Sequence, residues 1–448
     1  MNSEKKLLFI LAAVQFSHII DFMIIMPLGK TIMEEFSISP GQFAWVVSAY
    51  AGAALMGNLI STAFIDRFDR RTALLFLFAG FTVGTLACAF APTYLWLLCL
   101  RSATGIFGGT LGALVLAIVG DVIPLERRAS AMGWVMTAFS AASVIGIPSG
   151  IYIASKLGWH APFVATAGIA ALFWLLAWRF IPSLRGHMSS ERARPSRLSA
   201  GLASASPRLS AGLASASQGE DGRAMADVLD EIALSPVEQA LAPQGTLRRI
   251  AEPFVKIFSD SNQRAALLFT MTLMLGHFTI IPFIAPYMQI NVGFSDTEIS
   301  LVYLVGGILT VVLLPLFGKL ADRYGRMLIF SVASFFALGS IYLLTNLETD
   351  SLYVGLLVTS SFFVVASGRN VPATTMITSV VRPENRGSFM SIRQSVNEAA
   401  LFGSTLVAGL IITENEQGML DGYENLGYFT MVMSVVAVVT ASRLRAVA

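Results

Sequence analysis

Charge is scarce in this chain: Asp, Glu, Lys and Arg together make up 13% of its 448 residues, about half the share of an ordinary soluble domain. That leaves too little polar material to cover a water-facing surface of this length. Cysteine is scarcer still. Only Cys88 and Cys99 occur, both inside apolar runs, which leaves no disulfide or thiolate-metal framework and reads as packing. A formal net charge of +2 is too near neutrality to point to a nucleic-acid partner. The sequence has no phosphate loop closed by Lys-Ser or Lys-Thr, no His-Glu-x-x-His pair and no Ser nucleophile elbow. An enzyme is therefore not expected, nor any cofactor, and the energy source must be an ion gradient. What the chain has in excess is apolar residues, 55% before its 37 Gly are counted, and the solvent for such a surface is lipid.

Apolar stretches of about 20 residues, the length that crosses a bilayer, lie near 7–28, 42–64, 72–91, 94–119, 131–154 and 161–181. A second set follows near 264–289, 298–320, 327–346, 352–378, 388–412 and 426–444. The expected fold is an all-α integral membrane protein of twelve transmembrane helices in two six-helix bundles. The first run follows Lys5 and Lys6 but continues through Asp21 without a small-residue cleavage site, so it reads as a retained helix. Basic loops stay on the cytoplasmic side. With both termini placed there, the outer loops hold only Lys30 and Lys156, whereas Arg67, Arg70, Arg71, Arg127, Arg128, Arg323, Arg326, Arg382 and Arg386 fall inside. A multi-pass protein of the cell (inner) membrane with both termini cytoplasmic is expected.

Between the two sets, at residues 189–252, the composition changes abruptly to Ser, Ala, Gly, Arg and Pro. Residues 197–207 (RLSAGLASASP) recur almost unchanged as residues 208–218 (RLSAGLASASQ). Such a stretch cannot bury enough apolar surface to fold alone and is expected to be a disordered cytoplasmic linker between bundles at 1–188 and 253–448. Ile250, Phe254, Ile257 and Phe258 recur at helical spacing, as in a short helix lying at the membrane surface.

The two halves repeat one another weakly. At an offset of 256 residues, Asp66-Arg67-Phe68-Asp69-Arg70-Arg71 falls on Asp322-Arg323-Tyr324-Gly325-Arg326 and its successor, and Asp21-Phe22-Met23-Ile24-Ile25 falls on His277-Phe278-Thr279-Ile280-Ile281. Pro124-Leu125-Glu126-Arg127 is answered by Pro383-Glu384-Asn385-Arg386. A parallel six-plus-six repeat is one way secondary transporters are built, with the site between the halves near the bilayer midplane.

Gly318-Lys319-Leu320-Ala321-Asp322-Arg323-Tyr324-Gly325-Arg326 resembles the loop signature of the major facilitator superfamily, and residues 66–71 resemble its first-half counterpart. The first copy carries Thr62 and Asp69 where that family usually has Gly. Residues 98–109, with Arg101, Gly105, Gly108 and Gly109, are similar to the family's fourth-helix motif. Gly146-Ile147-Pro148-Ser149-Gly150 is similar to the fifth-helix motif of its proton-coupled drug and sugar exporters, and Gly158-Trp159-His160 resembles the Gly-Trp-Arg that often follows, with His160 in place of Arg. The resemblance implies two pseudo-symmetric bundles and proton-linked export. It implies further that Gly146, Pro148 and Gly150 bend and seal the fifth helix, and that Asp66, Arg67, Arg70, Arg71, Gly318, Asp322, Arg323, Gly325 and Arg326 form a cytoplasmic gate.

An ionisable group inside a span needs a partner, a wet cavity or a function. Asp21, Arg101, Arg369 and Glu398 qualify, and two acids against two bases sum to zero, as pairing across a cavity would require. Gln15, His18 and Asp21 recur every three residues and form one polar stripe on the first helix, which must face the interior. His18 and His277 read equally as titrating groups and as satisfied imidazoles at helix junctions. On the eleventh span Gln394 and Glu398 share a face, with Arg393 and Asn397 beside them; Arg393 is close enough to the end to snorkel. Arg369 stands in Gly-Arg-Asn-Val-Pro, where Pro372 interrupts the helix, and Arg369 with Glu398 is expected to form a second buried pair. Gly105, Gly108, Gly109 and Gly112 read as a close-packing face.

The leading reading is a monomeric, proton-coupled antiporter that exports small organic or amphiphilic molecules by alternating access, with protons, substrate and membrane lipids as partners. Asp21 would carry the proton, Arg101 would tune it, and Glu398 with Arg369 would rearrange between states. A proton-driven importer, and a membrane sensor that moves nothing, remain as the other readings.

Overall fold

The computed structural model describes residues 3–62, 68–184, 257–349, 351–381 and 386–446. Residues up to Ser183 and from Pro253 onward form one compact unit; Leu184–Glu252, which contains the expected linker and its tandem repeat, divides off as a second and lies almost wholly outside the described residues. So does most of the surface helix expected at 250–258, of which Ile257–Ser259 is helical.

Eleven helices among the described residues are long and apolar enough to cross a membrane. A further helix, Arg386–Ile411, stands between the tenth and the last and carries the polar face read from the sequence. The twelve spans are Ser3–Ile24, Pro40–Thr62, Arg70–Cys88, Tyr94–Val122, Leu125–Leu157, His160–Phe180, Ser261–Ile290, Asp296–Tyr324, Arg326–Thr345, Leu352–Ser379, Arg386–Ile411 and Tyr423–Ala441. Some of their starts are capped by side chains that take up orphan backbone N–H groups. Asp69 accepts from Arg71 at the third span, and Asp260 accepts from Asn262 and Gln263 at the seventh. Ser295 and Glu298 close a reciprocal capping box at the eighth. Gly325 has φ 98°, so the turn from the eighth to the ninth span needs a residue without Cβ, which accounts for that glycine of the signature loop.

Four features depart from twelve plain rods. The first span ends at Ile24, not near residue 28, and is followed by a short helix, Gly29–Phe36. The fifth widens into a π-turn at Ala142–Gly146, just before Pro148 withdraws a backbone donor. The seventh breaks after Phe278 into a tight turn, Ile281–Phe283, around Pro282, and the tenth breaks at Arg369, between Gly368 and Asn370. Among the described residues the all-α expectation has one exception: Thr413–Glu414 pairs antiparallel with Leu420–Asp421 between the last two spans.

The outside of this unit is apolar. Phe76, Phe90, Leu95, Phe335, Tyr353 and Leu410 are all well exposed, which water would penalise and hydrocarbon accommodates, while the helices satisfy their own backbone. Both termini lie on one face: Glu4 pairs with Arg127 at 3.1 Å, the Lys6 ammonium covers the Phe180 ring, and Asn262 exchanges two hydrogen bonds with the Arg445 backbone.

The halves meet toward the opposite, far face. Gly41 packs on Gly409, Gly52 on Phe402 and Gly29 on Pro286. Phe43 meets Phe283 edge to face at 5.8 Å, and the Ser300 hydroxyl donates to the Pro148 carbonyl at 3.0 Å. One apolar cluster runs through this region, from Ile24, Phe43 and Ile147 of the first half to Phe283, Ile299 and Phe362 of the second.

Candidate functional site

The polar stripe of the first span faces inward. Gln15 and Asp21 are buried, and the His18 imidazole packs on Gly112 of the fourth span. One turn of the fourth span brings Arg101 to Asp21: Nη1 donates to the carboxylate Oδ2 at 2.8 Å and to the Asp21 carbonyl at 3.3 Å, and both side chains are fully shielded. The guanidinium lies over the Tyr50 ring at 4.7 Å, and Tyr50 leans on Phe22. Charge opposite charge and a ring face under the cation offset the cost of desolvating both ions.

Tyr50 escapes a reading of the sequence alone, because it lies in an otherwise apolar helix. The signal that could have found it is the glycine row opposite. Gly105 meets the Tyr50 backbone, Gly108 its hydroxyl, and Gly109 meets Ala54; none of the three has room for a Cβ. The expected packing role of these glycines is thus what lets Tyr50 reach Arg101. Several polar atoms around the pair have no protein partner: Asp21 Oδ1, Arg101 Nε and Nη2, His18 Nδ1, Gln15 Oε1 and the Tyr50 hydroxyl. A carboxylate with one oxygen engaged and one free can accept a proton without first breaking its ion pair.

The second half is built differently, and the expected pair of Arg369 with Glu398 does not form. Arg369, fully buried at the break in the tenth span, donates from Nη1 to Ser434 Oγ at 2.9 Å and from Nη2 to the Gly276 carbonyl at 3.0 Å. Glu398 is only half-buried and accepts from Gln394 Nε2, one turn away on its own helix, at 2.8 Å. The two side chains leave their helices on different faces. The break turns Arg369 toward the seventh and twelfth spans, whereas the i, i+4 geometry of the eleventh gives Glu398 a local partner. Asn397 and Arg393 are half-buried beside it. His277, buried, lies nearly parallel to Phe362 at 6.4 Å and edge-on to Phe278 at 4.9 Å. Charges expected to balance across a cavity therefore balance inside the first half alone.

Of the gate residues, Asp66 and Arg67 lie outside the described residues. Arg70 pairs with Asp121 at 2.9 Å and Arg71 donates to the Trp178 carbonyl, both within the first half. A Cβ on Gly318 would make ordinary contact with Val371, while Asp322, Arg323, Gly325 and Arg326 are exposed. The contacts named between the halves are thus on the far face and not at this gate. In the fifth span, a Cβ on Gly146 would strike Ile20 and one on Gly150 would strike Ile24, so the motif holds the first and fifth helices in close approach. His160, standing where Arg is usual, sets Nδ1 2.6 Å from the Ala89 carbonyl and ties the sixth span to the loop after the third.

The profile of the Major Facilitator Superfamily matches residues 11–404 and 265–447. The chain is 32% identical over 127 residues to the inner membrane transport protein YdhP of Escherichia coli K12; the match covers 28% of this chain and spans only 33% of that relative's length. It is 32% identical over 131 residues to Multidrug resistance protein 3 of Bacillus subtilis, covering 29% of this chain and 26% of that one. Among solved structures it is similar to a bacterial homolog of the human lysosomal transporter Spinster in an inward-facing and unoccupied conformation, with TM-score 0.67, 17% identity, and 98% and 96% of the two chains covered.

Proposed function

Because this chain belongs to the major facilitator superfamily, and is a multi-pass membrane transporter and not an enzyme, we propose that it exports small organic or amphiphilic molecules in exchange for protons. The observation that carries the reading is the sealed Asp21–Arg101 pair at 2.8 Å with Asp21 Oδ1 left free. A buried acid is costly to keep inside a membrane and is a functional site by default. Here it is close enough to a cation to hold its charge and has an open lone pair to take a proton. Relatives named for multidrug resistance and sugar efflux support export as the direction.

In this scheme the two halves rock about the space between them, opening it to one face at a time. The halves are in contact on the far face, so the scheme takes that face as the closed one and the mouth beside the termini as the open one, with the termini in the cytoplasm of a cell that carries this protein in its inner membrane. Asp21 exchanges its proton for substrate, and Arg101, held by Tyr50, receives the carboxylate when the proton leaves. Gln15 and His18 continue the polar stripe toward the termini, and Glu398 with Asn397 lines the opposite wall. His277 and Arg369 mark the second half of the site. Gly146, Pro148 and Gly150 seal the first helix against the fifth during the movement, and the loops around Arg70, Arg71, Asp322 and Arg326 close the cytoplasmic mouth in the alternate state. The chain works as a monomer in contact with lipid.

The test is flux in vesicles. Purified protein is reconstituted, a pH gradient of either sign is imposed, and a panel of amphiphilic dyes and sugars is followed in inside-out and right-side-out orientation. Export predicts gradient-dependent accumulation in inside-out vesicles and its loss in Asp21→Asn. Accumulation only in right-side-out vesicles would establish an importer, and proton release without solute flux would establish a sensor.

A further inference from the structure

The internal repeat places His277 on the seventh span where the first half has Asp21. In the first half, the acid meets the arginine of the fourth span. In the second, the arginine of the tenth span is equally buried, with both its terminal nitrogens on neutral oxygens of Ser434 and Gly276, and among the described residues no ion pair joins it to an acid. Each half thus has a buried arginine on its fourth helix, at different levels of the repeat, and only in the first half is an acid set against it. A guanidinium cannot shed its charge, and a lone ion in a low-dielectric interior is strongly unfavourable unless an opposite charge joins it.

The surrounding atoms supply the rest of a site. Arg369 Nε, His277 Nδ1 and the Thr430 hydroxyl are all shielded from solvent and lack any protein partner. They border one junction of three spans. His277 adjoins the Gly276 carbonyl that takes Arg369, and Thr430 is one turn from Ser434, whose hydroxyl donates to the Thr430 carbonyl at 2.9 Å. His277 Nδ1 donates in the neutral tautomer that carries its proton there, and the hydroxyl rotates to suit. Unsatisfied buried donors around an uncompensated cation are the inverse image of a small anion.

We infer that Arg369, His277 and Thr430 form a buried seat for a small monovalent anion, either a free halide or the carboxylate of a transported molecule, which supplies the charge that Asp21 supplies in the first half. The site is independent of proton coupling at Asp21 and stands even if the transported solute is misassigned.

Thermal unfolding of the purified protein in detergent tests this at constant sodium concentration, with isethionate replaced stepwise by bromide or by formate. An anion that binds the folded state raises the unfolding midpoint saturably. Saturable rises with both bromide and formate assign a free-anion site; a rise with formate alone assigns the site to a solute carboxylate. Either response must vanish in Arg369→Gln. Because that variant could fail to fold, His277→Asp provides the second arm. It places a carboxylate at the repeat position of Asp21, so its midpoint in isethionate should rise to that of the wild type in saturating anion and lose its anion dependence. No response in the wild type, or an undiminished response in His277→Asp, overturns the inference.

Discussion

Asp21 and Arg101 are joined at 2.8 Å, from the first span to the fourth, and no solvent reaches either side chain. The bond ties two helices of one half together instead of bridging the halves, so it survives a rocking motion that separates them. What changes in such a motion is the access of water and substrate to the free Asp21 Oδ1. A proton that enters there leaves Arg101 without a counter-charge, which favours rearrangement around the pair; the ion pair is then a means of making protonation felt by the helices.

The first prediction separates the two partners. Asp21→Asn keeps the size of the side chain and strands Arg101, which stays charged; Arg101→Met strands a carboxylate, which can neutralise itself by taking a proton. Stranding a buried charge costs about 3 to 5 kcal/mol. Asp21→Asn should therefore lower the unfolding midpoint more than Arg101→Met does, and combining them should restore part of the loss. Equal and additive losses would mean that the pair contributes little coupling. In vesicles Asp21→Asn should also lose gradient-driven flux.

The second prediction concerns residues that the structure keeps apart. Glu398 answers to Gln394 and Arg369 to Ser434 and Gly276, so the effects of Glu398→Gln and Arg369→Gln on the unfolding midpoint should add within about 0.5 kcal/mol, as for independent sites. A coupling above 1 kcal/mol would put them in contact in a populated state. Ser434→Ala should mimic part of the Arg369→Gln loss, by about 1 kcal/mol for one hydrogen bond.

How much of this was legible beforehand follows from what sequence encodes locally. Span positions came from runs of apolar residues, since hydrocarbon thickness fixes a minimum length regardless of neighbours. The break at Arg369 was visible because Gly368 and Pro372 act on their own backbone. The break after Phe278 was not read, although Pro282 is the same kind of local signal within an apolar run, and the π-turn at Ala142–Gly146 lies where Gly146 and Pro148 were expected to bend the fifth span. Charge counting found Asp21 and Arg101 as members of a set. It set Arg101 beside Asp21 and paired Arg369 with Glu398; the first pair forms and the second does not, because two acids and two bases pair in more than one way and helix rotation decides. Tyr50, Ser434 and the Gly276 carbonyl were missed for the same reason: each becomes functional only through what a different span lays against it.

The third prediction uses glycines as a matched pair. A Cβ at Gly105 would collide with the Tyr50 backbone, whereas Gly168, in the middle of the sixth span, has nothing within 4 Å of its added Cβ. Gly105→Ala should destabilise by about 1 to 3 kcal/mol through overpacking and disturb the seat of Arg101 on Tyr50, with a loss of flux beyond the loss of folded protein. Gly168→Ala should be neutral or stabilising by about 0.5 to 1 kcal/mol, since a helix-interior glycine is replaced without a clash. A neutral Gly105→Ala would show that the second and fourth spans are not closely packed in the membrane.

The last prediction tests the state in which the halves stand. Phe43 and Phe283 belong to opposite halves, and their rings meet edge to face at 5.8 Å on the far face, so replacing both with cysteine opens a gap of the size of two rings. A short bis-methanethiosulfonate, which forms a disulfide to each cysteine and releases sulfinate, should span that gap once Cys88 and Cys99 have been changed to serine or alanine. Alternating access requires Phe43 and Phe283 to separate when the far face opens. Linking the two positions should therefore stop flux by more than tenfold and release it again on reduction, while the single-cysteine proteins treated alike keep transporting. The linked protein should also stay reactive at Gln394→Cys, which is exposed in this state, to a water-soluble thiol reagent added from the side of the termini. If flux continues at the unlinked rate after complete linking, the far-face contact between these two rings is not part of the gate, and the opening that releases substrate lies elsewhere.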